Sequence, residues 1–285
     1  MNLQVPAHSS LTLRAAEAIR RHLGYKFPPL GSVAYQCFFK LLPREIDIEL
    51  LPSIRAHLNT DDGTQRATYW QGTRFEKPTP EVLKTWASRP EAIFFDIGSN
   101  YGWFSFYLAS ELPDLRVHAF EPNPATFNLL QEIASRNQLS RLRPWHLGLG
   151  DHETTSHLRI GIEDSGHSTF GPHPTLSEKD AVEISIKSFD AWRQEAGLEL
   201  PSAPCWVAKI DVEGFEYRVI NGMQEALTAR AFYGLAVEVN RDTLEFCGSN
   251  SKELIALLER FGYVEYTPGF SGAHRQMNKF FVPRT

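Results

Sequence analysis

The hydrophobic pattern of this chain changes period near residue 90. Before that point Ile46, Ile48 and Leu50 alternate with Asp47 and Glu49, and Ala67-Thr68-Tyr69-Trp70 follows an Asp61-Asp62-Gly63 turn. The alternation predicts short antiparallel strands. Leu11, Ala15, Ile19 and Leu23 share one face of a predicted helix over 10–23, stopped by Phe27-Pro28-Pro29-Leu30-Gly31. A further helix is expected over 80–87, with Pro80 in its first turn.

Beyond residue 90, apolar runs alternate with segments of helical spacing. Strands are predicted at 92–96, 116–120, 142–147, 206–210 and 235–239. Between them lie an apolar helix over 103–109 and a helix opened by Asn123-Pro124 and carried by Leu129, Leu130 and Ile133. Another helix places Val219, Ile220, Met223 and Leu227 at helical spacing, and Asn250 with Glu253 resembles a capping box before Leu254. Residues 155–187 read as an inserted hairpin, and 263–267 with 279–282 as a closing one. Such alternation makes a mostly parallel sheet covered on both faces. The expected fold is α/β and Rossmann-like, mostly parallel with an antiparallel edge. Residues 1–90 are expected to form a small N-terminal extension, and 91–285 the main domain.

Composition narrows the class. The chain carries 29 Lys and Arg against 34 Asp and Glu, a mildly acidic balance without the basic stripe of a nucleic-acid binder. Its three cysteines, Cys37, Cys205 and Cys247, are scattered and odd in number, which fits reduced thiols better than a disulfide framework or a zinc cluster. Arg14, Glu17, Arg20 and Arg21 interrupt every candidate signal sequence, and no apolar run reaches the length of about 18 residues that spans a membrane. A cytoplasmic enzyme with no nucleic-acid partner and no transmembrane segment is expected.

Candidate chemistry starts at Phe94-Phe95-Asp96-Ile97-Gly98-Ser99-Asn100-Tyr101-Gly102, a buried strand that breaks into a small-residue turn. Gly98 and Gly102 let backbone N–H groups and a helix N-terminus approach a ligand closely. Arg116–Phe120 then leads into Glu121-Pro122-Asn123, where a carboxylate at the end of the next strand can read two ribose hydroxyls. The pair describes a pocket for an adenosine-containing cofactor. Asp96 repels a pyrophosphate but suits an ammonium, and the third glycine of G-x-G-x-x-G is missing. S-adenosylmethionine (SAM) is therefore expected, with a nicotinamide-dependent oxidoreductase as the alternative.

The succession DIGSNYG, AFEPNP, LGLGD, KIDVEGFE and VEVN resembles the FkbM-type SAM-dependent methyltransferases from about Glu91 to Tyr266. Its most specific part is Lys209-Ile210-Asp211-Val212-Glu213-Gly214-Phe215-Glu216, and Ser99 stands where the family commonly has Ala. The resemblance implies a class I methyltransferase sheet acting on a hydroxyl of a sugar, glycan or polyketide-type metabolite. It also implies Asp96 near the methionine amino end and Gly98, Asn100, Tyr101 and Gly102 as the turn against that moiety. Glu121 then binds the ribose, with Pro122 and Asn123 at the adenine edge and Gly150-Asp151 approaching the adenine. Asn123 serves equally as a helix cap, and Asp151 as a turn residue. A catalytically silent SAM-fold binding protein is a further alternative.

Methyl transfer to a hydroxyl needs alignment and a base. Asp211 and Glu213 are the candidates, since they emerge at the carboxyl end of the fourth predicted strand, although Lys209 is placed to pair with either. His146, His167 and His173 are further candidate bases, the latter two in a loop over 163–177 that can cover the site. Asp211, Glu238 and Asn240 together offer three hard oxygen ligands, so Mg²⁺ is an option. Tyr69, Trp70 and Phe75 read either as an acceptor platform or as core, and Glu76 beside them can reach the cofactor mouth.

Overall fold

The computed structural model of the chain describes residues 33–161, 164–171, 181–268 and 278–284, with Ala15, Ala16 and Ala18. The helix predicted over 10–23 lies almost wholly outside the described residues. Helix α1 spans Val33–Lys40, and the alternating segment forms strand β1, Glu45–Leu51. Its partner is β2, Ile54–Asn59, which pairs antiparallel through Ser53 at φ 65°. Ile46, Ile48 and Leu50 face inward with Ile54, Ala56 and Leu58.

The strand predicted at Ala67–Trp70 is instead part of helix α2, Gly63–Gln71. Asp62 accounts for the difference. It is extended, and its side chain accepts from Gln65 N at 2.8 Å, so the expected turn is a helix N-cap. Gln65, Thr68 and Tyr69 are buried at a helical spacing that a four-residue window reads as alternation. Helix α3, Thr79–Ala87, carries Pro80 in its first turn as predicted.

Strand β3, Ile93–Ile97, is buried at all five positions. It is followed by α4 (Trp103–Glu111), β4 (Arg116–Phe120) and α5 (Pro124–Arg136). Strand β5, Leu142–Trp145, ends two residues short of its prediction, and Gly148–Gly150 forms a separate strand β6. The inserted hairpin is present as β7 (Thr154–Arg159) against β8 (Ala181–Ser188), with β6 parallel to β8. Then come α6 (Phe189–Glu195), β9 (Trp206–Ile210), α7 (Glu216–Asn221), α8 (Gln224–Thr228) and β10 (Phe232–Glu238). Helices α9 (Arg241–Phe246) and α10 (Ser251–Arg260) precede β11 (Tyr263–Tyr266) and β12 (Asn278–Pro283).

The main sheet has the order β11-β12-β10-β9-β3-β4-β5. All its pairs are parallel except those of β12, which runs antiparallel to both β10 and β11. This is the Rossmann-like sheet with an antiparallel edge. Ile93, Phe95 and Ile97 join one core with Trp192, Trp206 and the helices after β9. Phe94 joins the other, which also takes in the β1–β2 hairpin, Tyr69, Trp70 and Trp86. No helix of the described residues is long and apolar enough to cross a membrane.

The single helix predicted after β9 is broken in two. Gly222 packs so tightly on the Gly150 carbonyl that a Cβ there would lie 1.9 Å from its oxygen. The second piece is then capped from outside, because the Asp190 carboxylate accepts Glu225 N at 2.8 Å and Ala226 N at 3.2 Å. Asp190→Ala should lower the unfolding free energy by about 1–2 kcal/mol, the range for losing a helix cap, with Asp190→Asn recovering most of it. Urea denaturation of the three proteins measures this.

Candidate active site

In an open α/β sheet, ligands bind beyond the carboxyl ends of the strands where strand order reverses. Here that point lies between β3 and β9. The turn leaving β3 is shaped by a close backbone approach. Gly98 has φ 76°, and a Cβ on it would lie 1.8 Å from the Asp211 carbonyl oxygen. Its N–H and that of Ser99 donate to Phe120 O at 3.1 and 2.9 Å. Asn100, at φ 52°, offers its Oδ1 to Tyr101 N at 2.6 Å. Tyr101 is buried, and its hydroxyl hydrogen-bonds Thr68 of α2.

Asp96 lies behind this turn. Its Oδ2 accepts from Ser105 Oγ at 2.6 Å and Ser105 N at 3.1 Å, so the carboxylate faces the start of α4 and is not on the cavity wall. Burial raises its pKa, opposed by the Lys209 ammonium.

Glu121 is on the wall and only 6% exposed. Its Oε2 accepts Asn100 N at 2.7 Å and its Oε1 accepts Asn123 N at 2.8 Å. Burial pushes the carboxyl up to about 7, with those donors and the Thr126 hydroxyl pulling the other way. Pro122 also lines the cavity, whereas Asn123 caps α5 by accepting Ala125 N at 3.0 Å. Gly150 and Asp151 stand off the wall, where Gly148 and Leu149 take their place. Asp151 pairs with His152 at 2.7 Å and Arg218 at 3.3 Å.

At the end of β9 the charges concentrate. Lys209 is buried and bonds Asp211 Oδ2 at 2.6 Å. Burial favours the neutral amine, but Asp211, Glu76 and Asp96 outweigh it and hold the ammonium charged well above its usual range. Asp211 and Glu213 both line the cavity. Burial first, then the Asp211 and Glu216 charges, push the Glu213 carboxyl well up. Glu216 points behind the loop, where its Oε1 accepts Val212 N at 3.0 Å and Gly214 N at 3.2 Å, and burial lifts it to about 7. Glu238 reaches the wall from β10, and burial together with Asp211 and Glu213 pushes it up to about 11. Asn240 is turned away, its side chain accepting Asp242 N at 3.1 Å as the cap of α9.

The cavity these residues enclose has a volume of about 250 Å³. Part of its cover is the stretch 164–168. Asp164 accepts from Thr64 Oγ1 at 2.6 Å, Ser165 N donates to Asp62 Oδ2 at 2.9 Å, and Asn100 Nδ2 donates to Ser165 Oγ at 3.0 Å. His146 is off the cavity, stacked on Phe127 and bonded to Pro122 O at 3.0 Å. His173 lies outside the described residues, as does the side chain of His167. Tyr69 and Trp70 belong to the core, while Phe75 lies on the wall against Trp103 at 5.1 Å. Glu76 is also on the wall, held by Asn278 Nδ2 at 3.3 Å, and burial raises its carboxyl.

Sequence reasoning passed over Glu216 as a site residue and treated Lys209 only as a partner. Both lie inside the KIDVEGFE run, so the signal was present there. What was missing is the register that sets Lys209 opposite Asp96 across β3 and β9.

The profile of the methyltransferase FkbM domain matches residues 96–265. The 31-O-demethyl-FK506 methyltransferase FkbM of Streptomyces tacrolimicus is 40% identical over 214 residues, covering 65% of this chain and 78% of that protein. The hexuronic acid methyltransferase AglP of Haloferax volcanii is 30% identical over 150 residues, covering 53% of this chain and 57% of that protein. Methyltransferase 1 of Beauveria bassiana is 26% identical and matched over 59% of its length, so the chain spans less than two thirds of both of these relatives. The precorrin-6y C5,15-methyltransferase of Geobacter metallireducens superposes with a TM-score of 0.40 at 14% identity, over 72% of this chain and 86% of that one. On the match over 96–265, the chain belongs to the methyltransferase FkbM domain family.

Proposed function

We propose that the chain is a cytoplasmic SAM-dependent O-methyltransferase acting on a hydroxyl of a sugar, glycan or polyketide-type metabolite. The observation that carries the reading is Glu121, a carboxylate held on the cavity wall by two backbone N–H groups at the carboxyl end of β4, one strand from the switch point of the sheet. Each of its oxygens keeps a lone pair for the two hydroxyls of a ribose. The Gly98–Gly102 turn and the apolar wall of Phe120, Leu147 and Leu149 complete a cradle for an adenosyl group. When bound, SAM supplies a methyl group on a leaving group that is already activated.

The chain's own task is then alignment and removal of one proton. Asp211 and Glu213 stand on the wall at the end of β9 and are the groups to accept the proton of an acceptor hydroxyl. The Lys209 ammonium fixes the orientation of Asp211. We assign the segment before residue 90 to the acceptor side, because Thr64, Phe75 and Glu76 close the cavity there. The names of two relatives support O-methylation, since one is a 31-O-demethyl-FK506 methyltransferase and another a 2-O-methyltransferase. The unbridged thiols of Cys37, Cys205 and Cys247 support a reducing compartment.

Three outcomes test this reading. Glu121→Ala should weaken SAM binding roughly tenfold to a hundredfold, the value of hydrogen bonds to a charged group. Calorimetry reads it, and unchanged affinity would remove Glu121 from the cofactor site. The second concerns pH. Burial pushes the Glu121 carboxyl up to about 7, and the ribose needs the anion. Affinity should therefore be full above pH 7 and fall as pH drops through it, by up to about tenfold per unit. Glu121→Gln should flatten the profile between pH 8 and 6, and an unaltered slope would sink the assignment. Third, Asp211→Asn should lower kcat by at least about a hundredfold while SAM affinity changes little. Equal losses in both would give Asp211 a purely structural part.

A further inference from the structure

The floor of the cavity holds more acid than its lysine balances. Asp211, from the end of β9, and Glu238, from the end of β10, lie on the cavity wall, and Glu216, from the first turn of α7, meets them from behind. One carboxylate oxygen from each lies within 4.8 Å of the others. Glu216 is fully buried and Glu238 is 5% exposed. Two of their oxygens, Glu216 Oε2 and Glu238 Oε2, are buried with no hydrogen-bond partner among the described residues. The other Glu216 oxygen is occupied by two backbone N–H groups, which fix its free one in place. Lys209 does not satisfy the pair, because its ammonium hydrogen-bonds Asp211 and is shared with Glu76 and Asp96.

We propose that Asp211, Glu216 and Glu238 bind one hard divalent cation of the Mg²⁺ class. Buried orphan oxygens are costly unless something pairs with them, and here the carboxylates that carry them converge. Hard cations hold carboxylate oxygens at about 2.1–2.6 Å, so two ligands on one ion stand no more than roughly 4–5 Å apart. The three carboxylates already meet that limit. No imidazole or thiol joins the group among the described residues, and an all-oxygen donor set selects Mg²⁺, Mn²⁺ or Ca²⁺ over softer metals. Asn240, the third ligand expected from sequence, caps α9, and Glu216 replaces it.

The position also gives the ion something to do. Asp211 and Glu238 line the cavity whereas Glu216 does not, so an ion held by the three would adjoin the cavity and be within reach of a ligand there. A hydroxyl coordinated there becomes more acidic, which eases loss of its proton to a neighbouring carboxylate or water. That role rests on the methyltransferase reading above, whereas binding of the ion does not.

The test uses the full chain, stripped with a chelator and titrated with Mn²⁺ while paramagnetic resonance follows the free ion. Neither SAM nor acceptor is present. The expected result is one Mn²⁺ bound per chain and displaced by excess Mg²⁺. Glu216→Gln and Glu238→Gln should each weaken it at least tenfold, while Asp61→Asn on the surface leaves it unchanged. Circular dichroism confirms that each variant is folded. Absence of bound Mn²⁺ at about 1 mM, the weak end of protein sites for such cations, would overturn the proposal whether or not a variant folds. So would unchanged affinity in both folded variants. Failure of the chain to bind SAM in a separate calorimetric titration, with Mn²⁺ binding retained, would instead count against the cofactor reading alone.

Discussion

One buried ammonium ties the site together. Lys209 places a positive charge out of water, and around it stand Asp96 from β3, Asp211 beyond β9 and Glu76 from the connection between α2 and α3. Removing such a charge from water costs several kcal/mol, and only close opposite charges offset it. The three segments are therefore held to one convergence point. The strand register serves it directly, since Asp96 and Lys209 are paired neighbours on adjacent strands. The Lys209 ammonium also stands 4.5 Å from the centre of the Phe104 ring, so α4 is drawn into the same arrangement.

Around that point the cavity is assembled from parts remote in sequence. Asp62 shows how few groups do it. One of its oxygens caps α2 and the other accepts from Ser165, so the start of the front helix also fastens part of the cover. Asn100 reaches the same serine from the turn after β3, and Tyr101 reaches Thr68. Front segment, turn and insertion thus share polar links that are partly or wholly buried, where hydrogen bonds are harder to exchange for solvent. The acidic character of the cavity follows from the same convergence. Each carboxylate is unremarkable on its own strand or loop, and their mutual repulsion arises only once the sheet brings them together.

Local chemistry made much of this legible. Strands β4 and β9 coincide with their predicted bounds, because short, mostly apolar runs between turn signals have few other readings. Asn123 and Asn250 cap the helices they were expected to cap. One of the errors has a local cause and the other a remote one. Ala67–Trp70 alternates over four residues, too short a window to separate strand from helix, and the Asp62 cap decided for helix. The helix after β9 has unbroken apolar spacing, and its break comes from Gly150, which is 72 residues away in the chain and unseen by any periodicity.

By itself, then, the sequence determined the order of strands and helices from β3 to β5, the glycine turn after β3, the acid that follows β4, and the family. Those depend on side-chain type and spacing within a few residues of one another. Only the tertiary structure decided which acids share a space. It turned Asp96 toward Ser105 and Lys209, set Asn240 to capping a helix, brought Glu76 to the cavity wall and set Glu216 beside Asp211 and Glu238 behind it. The reason is physical. Burial and charge–charge energies depend on distances across the sheet, and no local pattern encodes those distances.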